Sequence, residues 1–113
     1  MSGIKVVTFA KKFLGVPYIF GGASPSGFDS EGLVKYCYKK AIGVDLPKYT
    51  NGLLLGGTKI SQANLKVGDL VFTSSSHVGI YVGDNKIIHA PKVGDVVRIS
   101  EITSFYTARR YVD

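Results

Sequence analysis

The spacing of apolar residues changes along the chain, and this change restricts the folds that the chain can adopt. In residues 4–14 and again in residues 29–41, apolar side chains recur at the spacing of one helix face. From residue 69 onward they fall in short runs separated by turn signals, which is typical of strands. Helices followed by strands predict an α+β fold, with N-terminal helices packed on an antiparallel sheet of about five strands.

Local signals set the bounds of these elements. We expect Gly15 to end the first helix, Asp29 to cap the second, and Gly43 to end it. Residues 18–27 are rich in Gly and Pro and are predicted to form a loop, whereas residues 47–57 fit either a short helix or a loop. The predicted strands cover residues 69–73, 78–82, 86–90, 96–99 and 108–112.

The composition fits one globular domain covering residues 1–113. Apolar residues make up 45% of the chain, enough for a core, and charged residues make up 19%, too few for disorder. No segment approaches the ~20 apolar residues of a membrane span. The first residues, Met-Ser-Gly-Ile-Lys, do not resemble a signal peptide.

The net charge of +6 favours anionic partners, and anionic wall polymers are one such class. The basic residues are scattered, however, with no run longer than two and no nucleic-acid-binding motif beside them. We therefore expect no nucleic-acid partner, and we expect a monomer. The single cysteine, Cys37, excludes an internal disulfide and a cysteine-based zinc site.

The chain has two histidines, His77 and His89, and both lie in one predicted hairpin. A lone histidine is usually structural, but two in one hairpin are less easily explained in that way. Two imidazoles could begin a metal site, yet no Asp, Glu or Cys stands nearby at ligand spacing. We therefore predict no metal and no other cofactor.

The length of the hairpin loop decides whether the two imidazoles share a face of the sheet. If residues 83–85 form a three-residue loop, Val82 pairs with Lys86 and Gly79 pairs with His89. Both imidazoles then project to one face, because side chains alternate along a strand. A two-residue loop would place the two imidazoles on opposite faces of the sheet, and a bulge would also change the register.

The start of the second helix is the other place suited to chemistry. Its first turn offers unpaired N–H groups and the positive end of the helix dipole, which stabilise a thiolate and an oxyanion. A cysteine nucleophile would gain most from this position, but the residue there is Ser30. On local propensity alone, Ser30 is typical of a helix cap.

Six ordered sequence blocks are together similar to one known family. The blocks cover residues 17–22, 24–29, 32–34, 68–72, 77–83 and 88–91. They resemble the NlpC-type peptidoglycan endopeptidases, a bacterial branch of the papain-like cysteine peptidases, over nearly the whole chain. The resemblance implies a papain-like fold and cleavage of cell-wall stem peptides after γ-D-glutamate.

The resemblance also implies a role for each matching residue. Ser30 stands at the position of the nucleophile, His77 matches the general base, and His89 matches the group that orients it. Tyr18 matches a tyrosine that helps to hold the substrate and the oxyanion. Asp29 matches the residue that receives the free amine of the stem peptide.

The chain departs from the family motif at the nucleophile. The motif reads Phe-Asp-Cys-Ser-Gly, and residues 28–32 read Phe-Asp-Ser-Glu-Gly, so Ser30 replaces the cysteine and Glu31 replaces a pocket serine. Cys37 lies seven residues further on, ~10 Å along the helix axis, and cannot take the place of Ser30. A hydroxyl needs full general-base help, so we expect very weak activity or none.

Three functions therefore stay open. The first is a wall-peptide hydrolase in a Cys-to-Ser form, and the second is a non-catalytic module that binds wall peptides. The third is an acyl transferase or amidase on the same fold. The resemblance implies a bacterial or phage protein that acts outside the cell or at the wall, if it is exported or delivered by a phage.

Overall fold

The computed structural model describes residues 2–112 and contains three α-helices and eight strands. The helices are α1 (Ser2–Ala10), α2 (Ser30–Ile42) and α3 (Tyr49–Leu55). The strands are β1 (Ala23–Ser24), β2 (Gly27–Phe28), β3 (Thr58–Lys59), β4 (Leu70–Ser74), β5 (His77–Gly83), β6 (Lys86–His89), β7 (Arg98–Glu101) and β8 (Thr107–Arg110). None of the helices in this part of the chain has the length and apolar character needed to cross a membrane.

Helix α1 ends earlier than the apolar spacing predicts. It stops at Ala10, and a single 3-10 turn over Lys11–Phe13 follows. Gly15 then adopts a left-handed φ of 90°, and its N–H donates to the carbonyl of Val97 at 2.9 Å. The chain is drawn toward the segment before β7, so the last predicted turn tightens instead of continuing the helix.

Helix α2 has the predicted bounds and the predicted caps. The Asp29 carboxylate accepts a hydrogen bond from the Gly32 N–H at 2.7 Å, which satisfies a free donor at the helix start. Gly43 ends the helix at φ 71°, a conformation that costs glycine little. The buried face of the helix consists of Gly32, Leu33, Val34, Cys37 and Tyr38.

Six strands form one antiparallel sheet in the order β3-β8-β4-β5-β6-β7, while β1 and β2 form a separate hairpin. The predicted α+β class is confirmed, and the main sheet has one strand more than expected. The additional strand β3 and the strands β1 and β2 have two residues each, too few for an alternating pattern to appear in the sequence. Residues 47–57, which the sequence left open, contain α3.

The predicted three-residue loop between β5 and β6 is wrong. Gly83 pairs with Lys86, so only Asp84 and Asn85 form the turn. Both residues have positive φ, 53° and 59°, as a type I′ turn requires. Asp and Asn tolerate this conformation better than other non-glycine residues, and the tight turn matches the twist of the paired strands.

A β-bulge compensates for the shorter turn. The register shifts at Val82, and beyond it Ile80 pairs with Ile88. Continuing this register sets Gly79 beside His89, and a Cβ added to Gly79 would stand 3.0 Å from the His89 Cβ. The predicted pairing of Gly79 with His89 is therefore confirmed, because the bulge supplies the residue that the turn lacks.

The core lies between the helices and one face of the sheet. Buried side chains of α1 and α2 pack there against those of β4, β5 and β6, in a cluster that includes Val6, Leu33, Tyr38, Phe72 and Ile80. A smaller cluster covers the opposite face and is formed by Val71, Ile87, Ile102 and Ala108. Helix α2 is thereby fixed against β5 and β6, the two strands that carry the histidines.

Candidate functional site

The two histidines are in direct contact at one end of the sheet. His77 is the first residue of β5 and His89 is the last residue of β6. The Nε2 atom of His77 lies 2.7 Å from Nδ1 of His89, and the ring planes meet at 70°. The hydrogen bond requires both rings on one face, which agrees with the register of the hairpin. Gly79 leaves the space between them.

A third residue extends this contact. The Nε2 atom of His89 lies 2.9 Å from the hydroxyl oxygen of Ser100 on β7. Ser100 pairs with Ile87, two residues before His89, so the two polar side chains share a face. The sequence interpretation missed Ser100 because it ended this strand at residue 99, although the alternation of side chains continues through residue 100.

Burial keeps both imidazoles neutral near pH 7. Burial lowers the pKa of His77 below its ordinary value. It also lowers the pKa of His89 to about 4, where the positive charges of His77 and Arg98 act in the same direction and Asp95 opposes them. A neutral His77 is able to accept a proton, as a general base must.

The other predicted site residues gather at the start of α2. Ser30 is the first residue of the helix and is half-buried. Burial and the negative charges of Asp29 and Glu31 raise the pKa of Tyr18, so these three side chains share one electrostatic environment. The Glu31 carboxylate also accepts a hydrogen bond from the Thr50 hydroxyl at 3.1 Å.

Two groups are thus formed, the histidine pair on the sheet and the polar residues at the start of α2. Helix α2 packs on the strands that carry the histidines. Within residues 2–112, no hydrogen bond joins the Ser30 hydroxyl to either imidazole. Catalytic hydrogen bonds are often long in the absence of substrate, so the lack of this bond does not by itself exclude a nucleophile and its base.

Cys37 is not available for chemistry. Its side chain is fully buried on the inner face of α2. Burial raises the pKa of the thiol to about 12, which disfavours the reactive thiolate. The expectation that Cys37 is a core residue is confirmed. The described residues also contain no group of three or more His, Cys, Asp or Glu side chains that could hold a metal ion.

Comparison with known proteins gives the family of this fold and site. Residues 15–113 match the model of the NlpC/P60 family. The chain belongs to this family. The NlpC/P60 assignment covers the helix start, the histidine hairpin and β7, so it includes every residue discussed above except those of α1 and its 3-10 turn.

Individual NlpC/P60 relatives agree with the assignment. The chain is 40% identical over 112 residues to the gamma-DL-glutamyl hydrolase of Bacillus subtilis (strain 168), covering 93% of this chain and 27% of that protein. It is 39% identical over 108 residues to the murein DD-endopeptidase MepH of Escherichia coli (strain K12), covering 88% of this chain and 40% of that protein. The chain therefore spans less than half the length of these relatives.

A solved NlpC/P60 structure matches over nearly its full length. The crystal structure of the NlpC/p60 domain of the peptidoglycan hydrolase SagA superimposes with a TM-score of 0.90 and 36% sequence identity. The match covers 96% of this chain and 97% of that one. The arrangement of a few helices on an antiparallel sheet is therefore the fold of this family.

A cleft of about 270 Å³ lies at the start of α2 in this NlpC/P60 chain. Its charged lining consists of two carboxylates, Asp29 and Glu31, and two ammonium groups, Lys35 and Lys48. Gly21, Gly22 and Ala23, the first residue of β1, also line the cleft. A cleft with both signs of charge suits a ligand that carries an amine and a carboxylate.

Proposed function

We propose that residues 1–113 form a peptidoglycan hydrolase domain of the cysteine-peptidase type that is inactive, or nearly so, because Ser30 occupies the position of the nucleophile. The observation that carries this proposal is the 2.7 Å hydrogen bond between His77 and His89, which gives an oriented general base. The names of the hydrolase and endopeptidase relatives support the reaction class. The expected substrate is a stem peptide, cleaved after γ-D-glutamate.

The geometry supports a definite order of proton movements. His77 uses Nε2 to contact His89, so Nδ1 is the ring nitrogen left to take the proton of the nucleophile. Attack on the amide carbon forms an oxyanion, which N–H groups at the start of α2 would stabilise. His77 then returns its proton to the leaving amine, and water hydrolyses the acyl-enzyme with His77 again acting as the base.

Substrate binding is assigned to the start of α2. One oxygen of Asp29 is already engaged as the helix cap, and its second oxygen is available for the free amine of a stem peptide. Glu31 adds a second carboxylate to the same cleft. Tyr18, whose hydroxyl lies in the field of both carboxylates, would complete the amine site.

Restoring the cysteine tests the catalytic proposal. We expect Ser30→Cys, and more fully Ser30→Cys with Glu31→Ser, to release free amines from purified wall peptides, because a thiolate is stabilised at the helix start. The same variants carrying His77→Ala serve as the matched control and should release none. The absence of amine release from both cysteine variants would contradict a hydrolase site.

The second candidate function is a non-catalytic module that binds wall peptides. Glu31 favours a binding function, because the helix dipole stabilises a carboxylate at a helix N-terminus. The Thr50 hydroxyl also donates a hydrogen bond to this carboxylate, which lines the cleft. Titration calorimetry should detect binding of a stem peptide with a free amine and weaker binding of its N-acetylated form. Equal heats for both peptides, or none, would count against this function.

The surface of the helices suggests a further partner. A groove of about 350 Å³ is lined by Ile4, Lys5, Thr8, Phe9, Lys12, Lys40 and Ala41, and is called the lysine groove below. Within residues 2–112, no carboxylate pairs with any of its three lysines. We propose that the groove retains a monomeric chain on anionic wall polymers, at the wall or outside the cell.

A further inference from the structure

Ser100 ends the chain of hydrogen bonds that begins at His77. Its hydroxyl lies 2.9 Å from the Nε2 atom of His89, and this is the one hydrogen bond that its side chain makes within residues 2–112. Strand pairing fixes its place, since Ser100 lies opposite Ile87 and Arg98 lies opposite His89. The side chain is half-buried, so bulk water does not fully replace this contact.

The positions of the protons decide whether His77 can act as a base. A neutral imidazole carries one N–H, on either Nδ1 or Nε2. If His89 carries its proton on Nε2, then Nδ1 accepts the N–H of His77 and leaves the Nδ1 lone pair of His77 free. If His89 carries its proton on Nδ1, the proton of His77 is forced onto Nδ1, and the lone pair needed for base catalysis is lost.

We propose that Ser100 is a positioning residue that accepts the Nε2–H of His89 and so holds the tautomer in which His77 presents a free Nδ1. The importance of that tautomer for catalysis rests on the proposed function. The distances among the three side chains bring the hydrogen-bonding atoms within reach of one another, and the positions of the protons can be measured without any assay of activity.

The charged form of His77 requires the same arrangement. Once His77 has taken a proton from the nucleophile, both of its nitrogens carry hydrogen, so its Nε2–H must donate to Nδ1 of His89. Neutral His89 then holds its own proton on Nε2, and Ser100 is the acceptor within reach. Ser100 therefore stabilises protonated His77 and raises its proton affinity.

Other charges near the pair do not replace Ser100. Arg98 and Asp95 are the charged side chains that act on His89, with opposite effects on its pKa. They pair with each other at 3.3 Å. Burial, the largest effect on His89, keeps its ring neutral and so leaves a single proton for the two nitrogens to share.

Imidazole nitrogen chemical shifts, measured by ¹⁵N NMR on the chain with Ser30 in place, test this proposal. At pH 7.5 we expect His89 to be protonated on Nε2 and His77 to be unprotonated on Nδ1. Ser100→Ala should mix the tautomers and lower the pKa of His77 by about one unit, while Ser100→Thr should restore both. Ser100→Asp should raise the pKa of His77, since a carboxylate is a stronger acceptor.

Several outcomes would overturn the proposal. One is an His89 ring protonated on Nδ1 in the unsubstituted chain, and another is an unchanged His77 pKa in both the alanine and the aspartate variants. Far-UV circular dichroism identifies any variant that fails to fold, and the unsubstituted spectrum decides the tautomer even then. In the Ser30→Cys background, the acidic limb of the pH–rate profile should follow the pKa of His77 in each variant.

The two proposals fail in different ways. If Ser30→Cys hydrolyses no wall peptide with any residue at position 100, the hydrolase function is contradicted while the tautomer measurement stands. If Ser30→Cys is active and its pH–rate profile is the same with Ser100→Ala and with Ser100→Asp, the role of Ser100 is contradicted and the hydrolase function is not.

Discussion

At the scale of single residues, the buried imidazoles link the candidate site to the stability of the fold. His89 is 8% exposed and has a pKa of about 4, below its ordinary value of 6.5. As the pH falls below 6.5, the unfolded chain binds a proton at His89 and the folded chain does not, so acid favours unfolding. His77 acts in the same direction, since burial also lowers its pKa.

We therefore predict that the fold loses stability as the pH falls from 6.5 to 4. The contribution of His89 is fully present above pH 6.5 and decreases by roughly 3 kcal/mol on reaching pH 4. Urea denaturation at several pH values measures the free energy of unfolding. His89→Gln, which cannot titrate, should show a clearly smaller decrease, and an unchanged pH dependence in that variant would contradict the burial argument.

At the scale of secondary-structure elements, the bulge at Val82 sets the register of the histidine hairpin. With a two-residue turn and no bulge, His89 would stand beside Ile80 instead of Gly79, and its ring would face away from His77. The bulge thus accommodates Val82 without shifting the register that brings the two histidines together.

Deletion of Val82 should leave the two histidines in contact, because it removes the unpaired residue and keeps Tyr81 opposite Ile87. We expect the deletion to retain the hydrogen bond between His77 and His89 and most amine release in a Ser30→Cys background. Imidazole ¹⁵N shifts measure the first effect and product release the second. Val82→Ala, which shortens the side chain but keeps the bulge, is the control, and loss of the hydrogen bond in the deletion alone would contradict this role of the register.

Helix α2 and the histidine hairpin differ in how much of their structure could be predicted from the sequence. The α2 helix was predictable in full, because Asp29 and Gly43 are strong local signals at its two ends. The contact between His77 and His89 was predictable only through a loop of the wrong length. The sequence marks the Asp84-Asn85 turn, but a bulge depends on the balance between turn twist and side-chain packing, which no local pattern encodes.

Tertiary contacts explain the other differences. The 3-10 turn after α1 arises where Gly15 bonds to Val97, more than eighty residues further along the chain. Ser100 becomes part of the candidate site only through its distance to His89, since a serine in a strand carries no signal by itself. The family resemblance assigned expected roles to the matching residues but none to Ser100.

At the scale of the whole molecule, the net positive charge is larger in the helical half. Residues 1–48 contain seven lysines and three acidic residues, whereas residues 49–113 contain seven basic and five acidic residues. Lysines near a helix C-terminus are stabilised by the helix dipole, which accounts for Lys39 and Lys40. Lys5 lies near the start of α1, where the dipole disfavours a cation, so the lysine groove is not explained by helix stability alone.

We predict that Lys5→Gln, Lys12→Gln and Lys40→Gln together weaken retention on purified bacterial walls by roughly tenfold, because three contacts to anionic groups are lost. Sedimentation of the protein with walls at increasing salt measures the effect. Added salt should weaken binding of the unsubstituted chain more steeply than binding of the triple variant.

The matched control removes the same charge from the sheet half of the molecule, with glutamine at Lys59, Lys66 and Lys86. It should retain most of the affinity. Equal losses in the two triple variants would show that net charge alone, and not the lysine groove, retains the protein. Unchanged binding to walls from which anionic polymers have been removed would also contradict the proposal that the lysine groove binds these polymers.

We propose that Ser30 stands at the nucleophile position of an otherwise intact site. The most direct test compares kcat/KM of the chain with that of Ser30→Cys on a γ-D-glutamyl stem peptide, with mass spectrometry to identify the products. We predict a gain of at least about a thousandfold, lost again when His77→Ala is added. A Ser30→Cys variant no faster than the unsubstituted chain would show that residue 30 is not the nucleophile position.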